Sequence, residues 1–264
     1  MLKLINAVKV FSPGTPNEHK ALNNLSLCLN EGEFITIVGS NGAGKSTLFN
    51  AICGNFLLDS GSIEVAGRNI TFMKEYKRAS FIGRVFQDPM KGTAPNMTIE
   101  ENLALAYSRS RRGPLGIAVK KSEREMFQSA LEEFGMGLED RTKTKVGLLS
   151  GGQRQVVTLL MCTLVTPKLL LLDEHTAALD PATAEKVMEI TTKIVSRNNI
   201  TTMMITHNIN SALKTGSRTI MMDSGEVILD TTGEERDKMT LDDLLKLYSL
   251  RKNEEFANDR MLLS

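Results

Sequence analysis

Short apolar runs of two kinds dominate the hydrophobic pattern of this chain, and both kinds predict strands. Residues 25–29 (LSLCL) alternate apolar and polar side chains, as a half-buried strand does. Residues 34–38 (FITIV) and 169–172 (LLLL) are almost continuously apolar, which is typical of strands that helices cover on both faces. We therefore expect an α/β protein built on a helix-covered sheet.

The segments between these strands predict further strands and several helices. From residue 98 to about residue 147 the pattern is helical and charged, and we interpret this block as a helical insertion that ends at Ser150. Arginines 109, 111 and 112 are expected in a solvated loop within it. We also predict strands at 61–67, 81–86 and 201–206, a hairpin at 223–226, and helices at 46–53, 122–134, 181–198 and 241–250. Thr98 is expected to start a helix, and Asp180 with Pro181 to cap the helix at 181–198.

Composition limits the partners that the protein can have. The 264 residues include 32 basic and 31 acidic side chains, and this balance argues against a nucleic-acid binder that relies on a positive field. The longest purely aliphatic run, Leu169 to Leu172, is far shorter than the roughly 20 residues of a membrane span. We expect a cytoplasmic protein that reaches a membrane only through a partner. The three cysteines, Cys28, Cys53 and Cys162, lack metal or disulfide spacing and are expected to be buried.

A glycine-rich loop connects the strand at 34–38 to the helix at 46–53. It reads GSNGAGKST over residues 39–47 and matches the phosphate-binding pattern G-x-x-x-x-G-K-[ST]. Its glycines let backbone N–H groups surround the phosphates of a nucleotide, Lys45 would neutralise the terminal phosphates, and Ser46 would bind Mg²⁺. We expect nucleotide contacts from Gly39, Ser40, Asn41, Gly42, Ala43, Gly44, Lys45, Ser46 and Thr47.

An acidic pair ends the strand at 169–172. Asp173 would reach Mg²⁺ through water, and Glu174 would orient or deprotonate the water that attacks the phosphate. Such a pair can also simply end a strand, and the phosphate-binding loop upstream is what favours the catalytic interpretation. His207 follows the strand at 201–206, at the kind of strand end where open α/β sheets place ligands.

A second glycine turn, Leu149-Ser150-Gly151-Gly152-Gln153, opens a helix. The backbone N–H groups at its start and the positive end of the helix dipole could hold an anion. The phosphate-binding loop already serves the nucleotide within one copy of the chain. The second turn therefore suggests that the chain closes on another copy of itself, with ATP between the two.

With this turn, the chain resembles the nucleotide-binding subunits of ATP-binding cassette (ABC) transporters over about residues 2 to 230. The turn matches the signature sequence of that family without a substitution. Gln87 matches the Q-loop glutamine, Ala178-Leu179-Asp180 the D-loop, and His207 the switch histidine. Phe11 falls where the family usually has an aromatic residue, most often tyrosine, that stacks on adenine.

The resemblance implies a P-loop NTPase (RecA-like) fold in one ABC ATPase domain, residues 1–264. Residues 1–95 and 155–264 would form the mixed-sheet core and an N-terminal antiparallel β subdomain. Residues 96–154 would form an inserted helical subdomain that carries the signature.

The resemblance also implies an ATPase that uses ATP and Mg²⁺ and works as a head-to-tail dimer. An integral membrane permease, an extracytoplasmic solute-binding protein and a place on the cytoplasmic face of the membrane are implied as well, with no nucleic acid. Glu174, His207, Gln87 and Lys45 would be the catalytic residues. The nucleotide would also contact Phe11 and, from the opposite copy, Ser150, Gly151, Gly152 and Gln153, while Ser46, Gln87 and Asp173 would serve the metal.

Two positions depart from the family pattern. The D-loop usually begins with serine, and Ala178 removes that hydroxyl, which would weaken communication across the dimer. Phe11 keeps an aromatic face for adenine but lacks the phenol of tyrosine.

Residues 93–96 (TAPN) and 173–178 (DEHTAA) resemble a bacterial subgroup associated with binding-protein-dependent importers, with aromatic amino acids among the proposed solutes. We therefore favour an importer. The alternatives are an ABC exporter and a soluble ABC ATPase that acts on nucleic acid or the ribosome. The signature and His207 argue against a kinase or GTPase, and Glu174 together with His207 argues against a degenerate, non-catalytic cassette.

Overall fold

The structure is a computed structural model that describes residues 1–110, 119–240, 243 and 246. Two sheets organise these residues. The larger sheet has the strand order β10-β9-β3-β8-β7-β6 and is parallel except for the antiparallel pair of β9 and β10. Its strands are β3 (Phe34–Gly39), β6 (Ile82–Val85), β7 (Leu169–Asp173), β8 (Thr201–Ile205), β9 (Arg218–Asp223) and β10 (Glu226–Thr232).

The smaller sheet is antiparallel and has the order β2-β1-β4-β5. Apolar side chains from its inner face pack against the larger sheet and the first helix in one buried cluster. This arrangement confirms the expected antiparallel β subdomain beside a mixed α/β core. Its strands are β1 (Leu2–Phe11), β2 (His19–Leu29), β4 (Ser60–Val65) and β5 (Arg68–Asn69).

Eight α-helices complete the described part of the chain. A second buried cluster joins α3, α4, α5 and α6 to the other face of the larger sheet, so the continuous apolar strand at 169–172 is covered on both sides, as predicted. The helices are α1 (Lys45–Cys53), α2 (Glu75–Arg78), α3 (Ile99–Tyr107), α4 (Lys121–Glu132), α5 (Gly151–Thr163), α6 (Pro181–Arg197), α7 (Ile209–Lys214) and α8 (Gly233–Lys238).

The cysteine prediction is wrong at one position. Cys162 is buried and Cys53 half-buried, but Cys28 is exposed. The alternation of β2 explains this, because Leu27 and Leu29 point into the core and the residue between them must point outwards. The predicted helix at 241–250 lies mostly outside the described residues, as do arginines 111 and 112. In the described part of the chain, no helix is long and apolar enough to span a membrane.

Candidate nucleotide site

Four parallel strands end at one edge of the larger sheet, and each delivers predicted site residues there. Strand β3 runs into the glycine loop, β6 is followed by Gln87, β7 ends at Asp173, and β8 is followed by His207. Neighbouring parallel strands have their carboxyl ends on the same side, so the fold gathers these segments although they are far apart in sequence.

The glycine loop has backbone conformations and close approaches that side chains would obstruct. Gly39 and Gly44 have φ values of 149° and 95°, in the region that favours glycine. A Cβ at Gly39 would clash with the carbonyl oxygen of Met222, and one at Gly44 with that of Ala21. The loop therefore keeps its backbone close to the neighbouring strands, and its last three residues form the start of α1 at Lys45. The first N–H groups of α1 have no partner within the helix, which suits a phosphate.

Lys45 folds its side chain back over this loop. Its Nζ donates hydrogen bonds to the carbonyl oxygens of Gly39 at 2.8 Å and Ser40 at 2.7 Å. Burial lowers the pKa of the Lys45 ammonium, and the charges of Glu174 and Asp173 act in the opposite direction. These two carboxylates are close enough to act on Lys45, so the loop and the end of β7 form one site.

Glu174 and His207 are in direct contact. His207 Nε2 lies 2.6 Å from Glu174 Oε1, and the glutamate side chain is far less exposed than that of the histidine. The backbone N–H of Glu174 donates to the carbonyl oxygen of Ile205, and its φ of 48° is unusual for a residue with a Cβ. Backbone and side chain are thus both constrained where a water-orienting base is expected.

Asp173 has a partner that the sequence did not suggest. Arg84 of β6 donates from one guanidinium nitrogen to Asp173 Oδ2 at 2.7 Å and from another to Asn50 Oδ1 at 2.6 Å. The signal was a charged residue within an apolar strand, residues 81–86 (FIGRVF), because an arginine in a buried strand requires a partner.

The other predicted site residues of this copy include Ser40, Ser46, Gln87 and Phe11. Ser46 and Gln87 are exposed, as groups that contact a ligand must be. Ser40 Oγ lies within hydrogen-bonding distance of Asp223, 3.2 Å away. Phe11 packs edge-to-face on Phe56, with ring centroids 5.4 Å apart. This contact helps to hold the Phe11 ring, which is expected to stack on adenine, in place.

The signature turn forms a well-capped helix start. Ser150 is the N-cap of α5, its Oγ accepts from the Gln153 N–H, and the Gln153 amide oxygen accepts from the Ser150 N–H. A Cβ at Gly152 would clash with Thr183 of α6, so close packing requires a glycine there. Ser150 and Gly151 are exposed on the surface.

The D-loop packs beside this turn. A Cβ at Gly151 would lie only 3.2 Å from Leu179 Cδ2, while Ala178 is exposed. Asp180 caps α6 by accepting from the Thr183 N–H, and Pro181 occupies its first turn, as the sequence predicted.

The residues at the end of β7 and the start of α1 fit a magnesium ion that is bound together with phosphates. Protein sites of this kind contribute only one or two oxygens, and phosphates and waters complete the octahedron. Ser46 offers an exposed hydroxyl and Asp173 an ionisable carboxylate, one oxygen of which is not bound by Arg84. No group of three or more acidic, histidine or cysteine side chains that could hold a metal ion occurs among the described residues.

A strand-loop-helix phosphate site with a paired carboxylate and histidine defines a P-loop ATPase. Comparison with known proteins identifies its family. The family model for ABC transporters matches residues 22–177. A tyrosine transport ATP-binding protein of Clostridioides difficile (strain R20291) is 44% identical over 248 residues, which cover 94% of this chain and 98% of that protein. A phosphonates import ATP-binding protein of Lactococcus lactis subsp. lactis (strain IL1403) is 30% identical over 251 residues, 93% of this chain and 99% of that protein.

Solved structures agree. A dimeric ATP-binding cassette in a post-hydrolysis state, bound to ADP and Pi, matches with a TM-score of 0.76 and 30% identity, over 88% of this chain and 98% of that one. A nucleotide-free cassette from an ABC transporter matches with a TM-score of 0.76 and 29% identity, over 94% and 98%. The chain belongs to the ABC transporter family, and it is an ATP-binding, ATP-hydrolysing cassette. The predicted P-loop NTPase fold is confirmed.

Proposed function

We propose that this chain is the ATPase subunit of an importer that takes up an amino acid, with aromatic amino acids as the first candidates. The observation that supports this proposal best is the 44% identity, over nearly the full length of both chains, to a protein described as acting in tyrosine transport. Import is also in the name of the phosphonates relative. The solute itself would be recognised by other subunits, since cassettes of this type contact nucleotide rather than cargo.

The catalytic arrangement that we propose uses two copies of the chain. In each copy the loop at 39–47 would hold the phosphates of ATP, with Lys45 on the terminal ones and the ring of Phe11 against adenine. Ser150 and the residues up to Gln153 of the other copy would close over the γ-phosphate. The exposed and capped start of α5 supports this step, because its N–H groups can donate hydrogen bonds to an anion brought by a second molecule.

Hydrolysis would follow closure of this dimer. Glu174 would orient the attacking water, and His207, held 2.6 Å from it, would contact the γ-phosphate and keep the carboxylate in place. Mg²⁺, when bound near Ser46, Gln87 and Asp173, supplies positive charge to the phosphates. Repulsion between the separated phosphates would then reopen the dimer and make the cycle irreversible.

A permease would transmit this cycle across the membrane, with a solute-binding protein on the outer side and the cassette on the cytoplasmic face. A groove of about 490 Å³ that Phe86, the residue before Gln87, helps to line suits such a contact. We call it the edge groove because it lies against the edge strand β6. The ends of α1, α3 and α5 enclose it together with α2. Its lining includes Cys53, Glu75, Arg84, Phe86, Leu105 and Arg109.

Uptake measurements test the proposed function. In cells that lack their own copy of the gene, we expect the wild-type chain to restore uptake of a radiolabelled aromatic amino acid and the Glu174→Gln chain to fail. Phosphonate and aliphatic amino acids serve as comparison solutes. Uptake of every tested solute at the same level with and without the wild-type chain would contradict the importer assignment.

A further inference from the structure

Arg84 connects three elements of the nucleotide site. It lies on the edge strand β6, its guanidinium binds Asp173 at the end of β7, and it also binds Asn50 of the phosphate-loop helix α1. Only about an eighth of either charged side chain is exposed, at 12% for Arg84 and 13% for Asp173. Water therefore screens this ion pair weakly, and its charge acts strongly on neighbouring ions.

The carboxylate that Arg84 neutralises is the one expected to serve Mg²⁺. A cation beside a carboxylate reduces the negative potential that a second cation experiences there. Because the arginine holds Oδ2 of Asp173, the ion pair also fixes the direction of the other carboxylate oxygen. Arg84 and Mg²⁺ would therefore compete for the same carboxylate, that of Asp173.

The surroundings offer Arg84 an alternative position. Its Nε is buried and has no hydrogen-bond partner among the described residues, so the present position leaves one donor unsatisfied. The guanidinium carbon lies 4.7 Å from the ring centroid of Phe86 and the side chain lines the edge groove, which Glu75 also lines. The stacking on Phe86 and the acidic group in the groove would both support a guanidinium that had moved away from Asp173.

We propose that Arg84 is a positioning residue that competes with Mg²⁺ for Asp173. Until the metal-nucleotide complex binds, Arg84 neutralises the carboxylate; when the complex binds, Arg84 gives up part of this contact and turns towards the edge groove. Mg²⁺-nucleotide binding and the state of the edge groove are thereby linked through one side chain. This inference depends on the ATPase assignment and not on the identity of the solute.

The test is the factor by which Mg²⁺ tightens nucleotide binding to the full-length chain. It is the ratio of the dissociation constants for a fluorescent, uncleavable ATP analogue in EDTA and in excess Mg²⁺. Arg84→Met keeps the packing of the aliphatic stem but removes the charge, and we expect this ratio to rise about tenfold. Arg84→Lys keeps a cation and should lie within about threefold of the wild type.

Two further variants make the result interpretable. Arg84→Gln retains an amide donor for Asp173 without a charge; it should raise the ratio as Arg84→Met does, and it replaces that variant if the methionine chain does not fold. Arg68→Met removes an exposed arginine of β5 and should leave the ratio unchanged. An unchanged or lower ratio in the folded neutral variants would overturn the proposal, because a purely structural arginine would not oppose the metal.

Discussion

At the scale of single residues, the site contains ionisable groups whose surroundings act on them in different ways. Lys45 is buried against loop carbonyls, and burial lowers its pKa while the nearby carboxylates oppose that effect. Glu174 and His207 hold one another at 2.6 Å. Directly beside this pair, His175 is buried and lies 3.2 Å from the Thr191 hydroxyl. No motif in the sequence assigns His175 a function, and its setting is that of a structural side chain.

The environment of His175 predicts a pH dependence of stability. Burial lowers the pKa of this imidazole from 6.5 to about 4, so the folded chain keeps it neutral where the unfolded chain takes up a proton. Stability is therefore lost as the pH falls from about 6.5 to about 4, by at most roughly 3 kcal/mol from this group. We expect His175→Gln, which does not titrate, to lose correspondingly less over this range in urea unfolding. Parallel stability curves for the two chains would contradict the assignment.

At the scale of elements, helix starts were the easiest features to predict and charge partnerships the hardest. Thr98, Ser150 and Asp180 were read as helix starts, and each caps a helix through its own side-chain oxygen. These signals are local, since a cap acts within one turn. Arg84 and Asp173 are 89 positions apart, and their contact depends on the neighbouring order of β6 and β7, which no local pattern specifies. The exposure of Cys28 was readable from alternation and was missed.

The start of α5 carries a prediction of its own. Ser150 is exposed at the N-terminus of α5, so an arginine side chain there should leave the fold and the phosphate loop of the same copy intact. We expect Ser150→Arg to bind ATP within about threefold of the wild type and to lose at least roughly 100-fold in steady-state hydrolysis, because the N–H groups offered to the opposite copy are blocked. Ser150→Thr keeps a capping hydroxyl and serves as the control. Hydrolysis by Ser150→Arg at the wild-type rate would show that this turn does not face a phosphate.

At the scale of the whole molecule, the phosphate loop and the signature turn are far apart in the sequence. Each stands at the start of a different helix, α1 and α5. The α/β class was predicted from the sequence, because apolar patterning is a local property of each strand. The antiparallel subdomain was implied by the family resemblance. The short helices α2, α7 and α8 were not predicted, since six residues or fewer carry too little periodicity. Our central proposal is that a second copy of the chain completes each nucleotide site, so it must be tested on the assembled dimer.

Sedimentation velocity of the Glu174→Gln chain tests that claim most directly. Removing the carboxylate should slow turnover by roughly two orders of magnitude or more while leaving the phosphate loop able to bind ATP. Slow hydrolysis should then hold the closed assembly together. The account predicts a dimer in saturating Mg-ATP and a monomer when nucleotide is omitted, with Lys45→Ala in the same background remaining monomeric throughout. A Glu174→Gln chain that binds Mg-ATP to saturation and still sediments only as a monomer would contradict it.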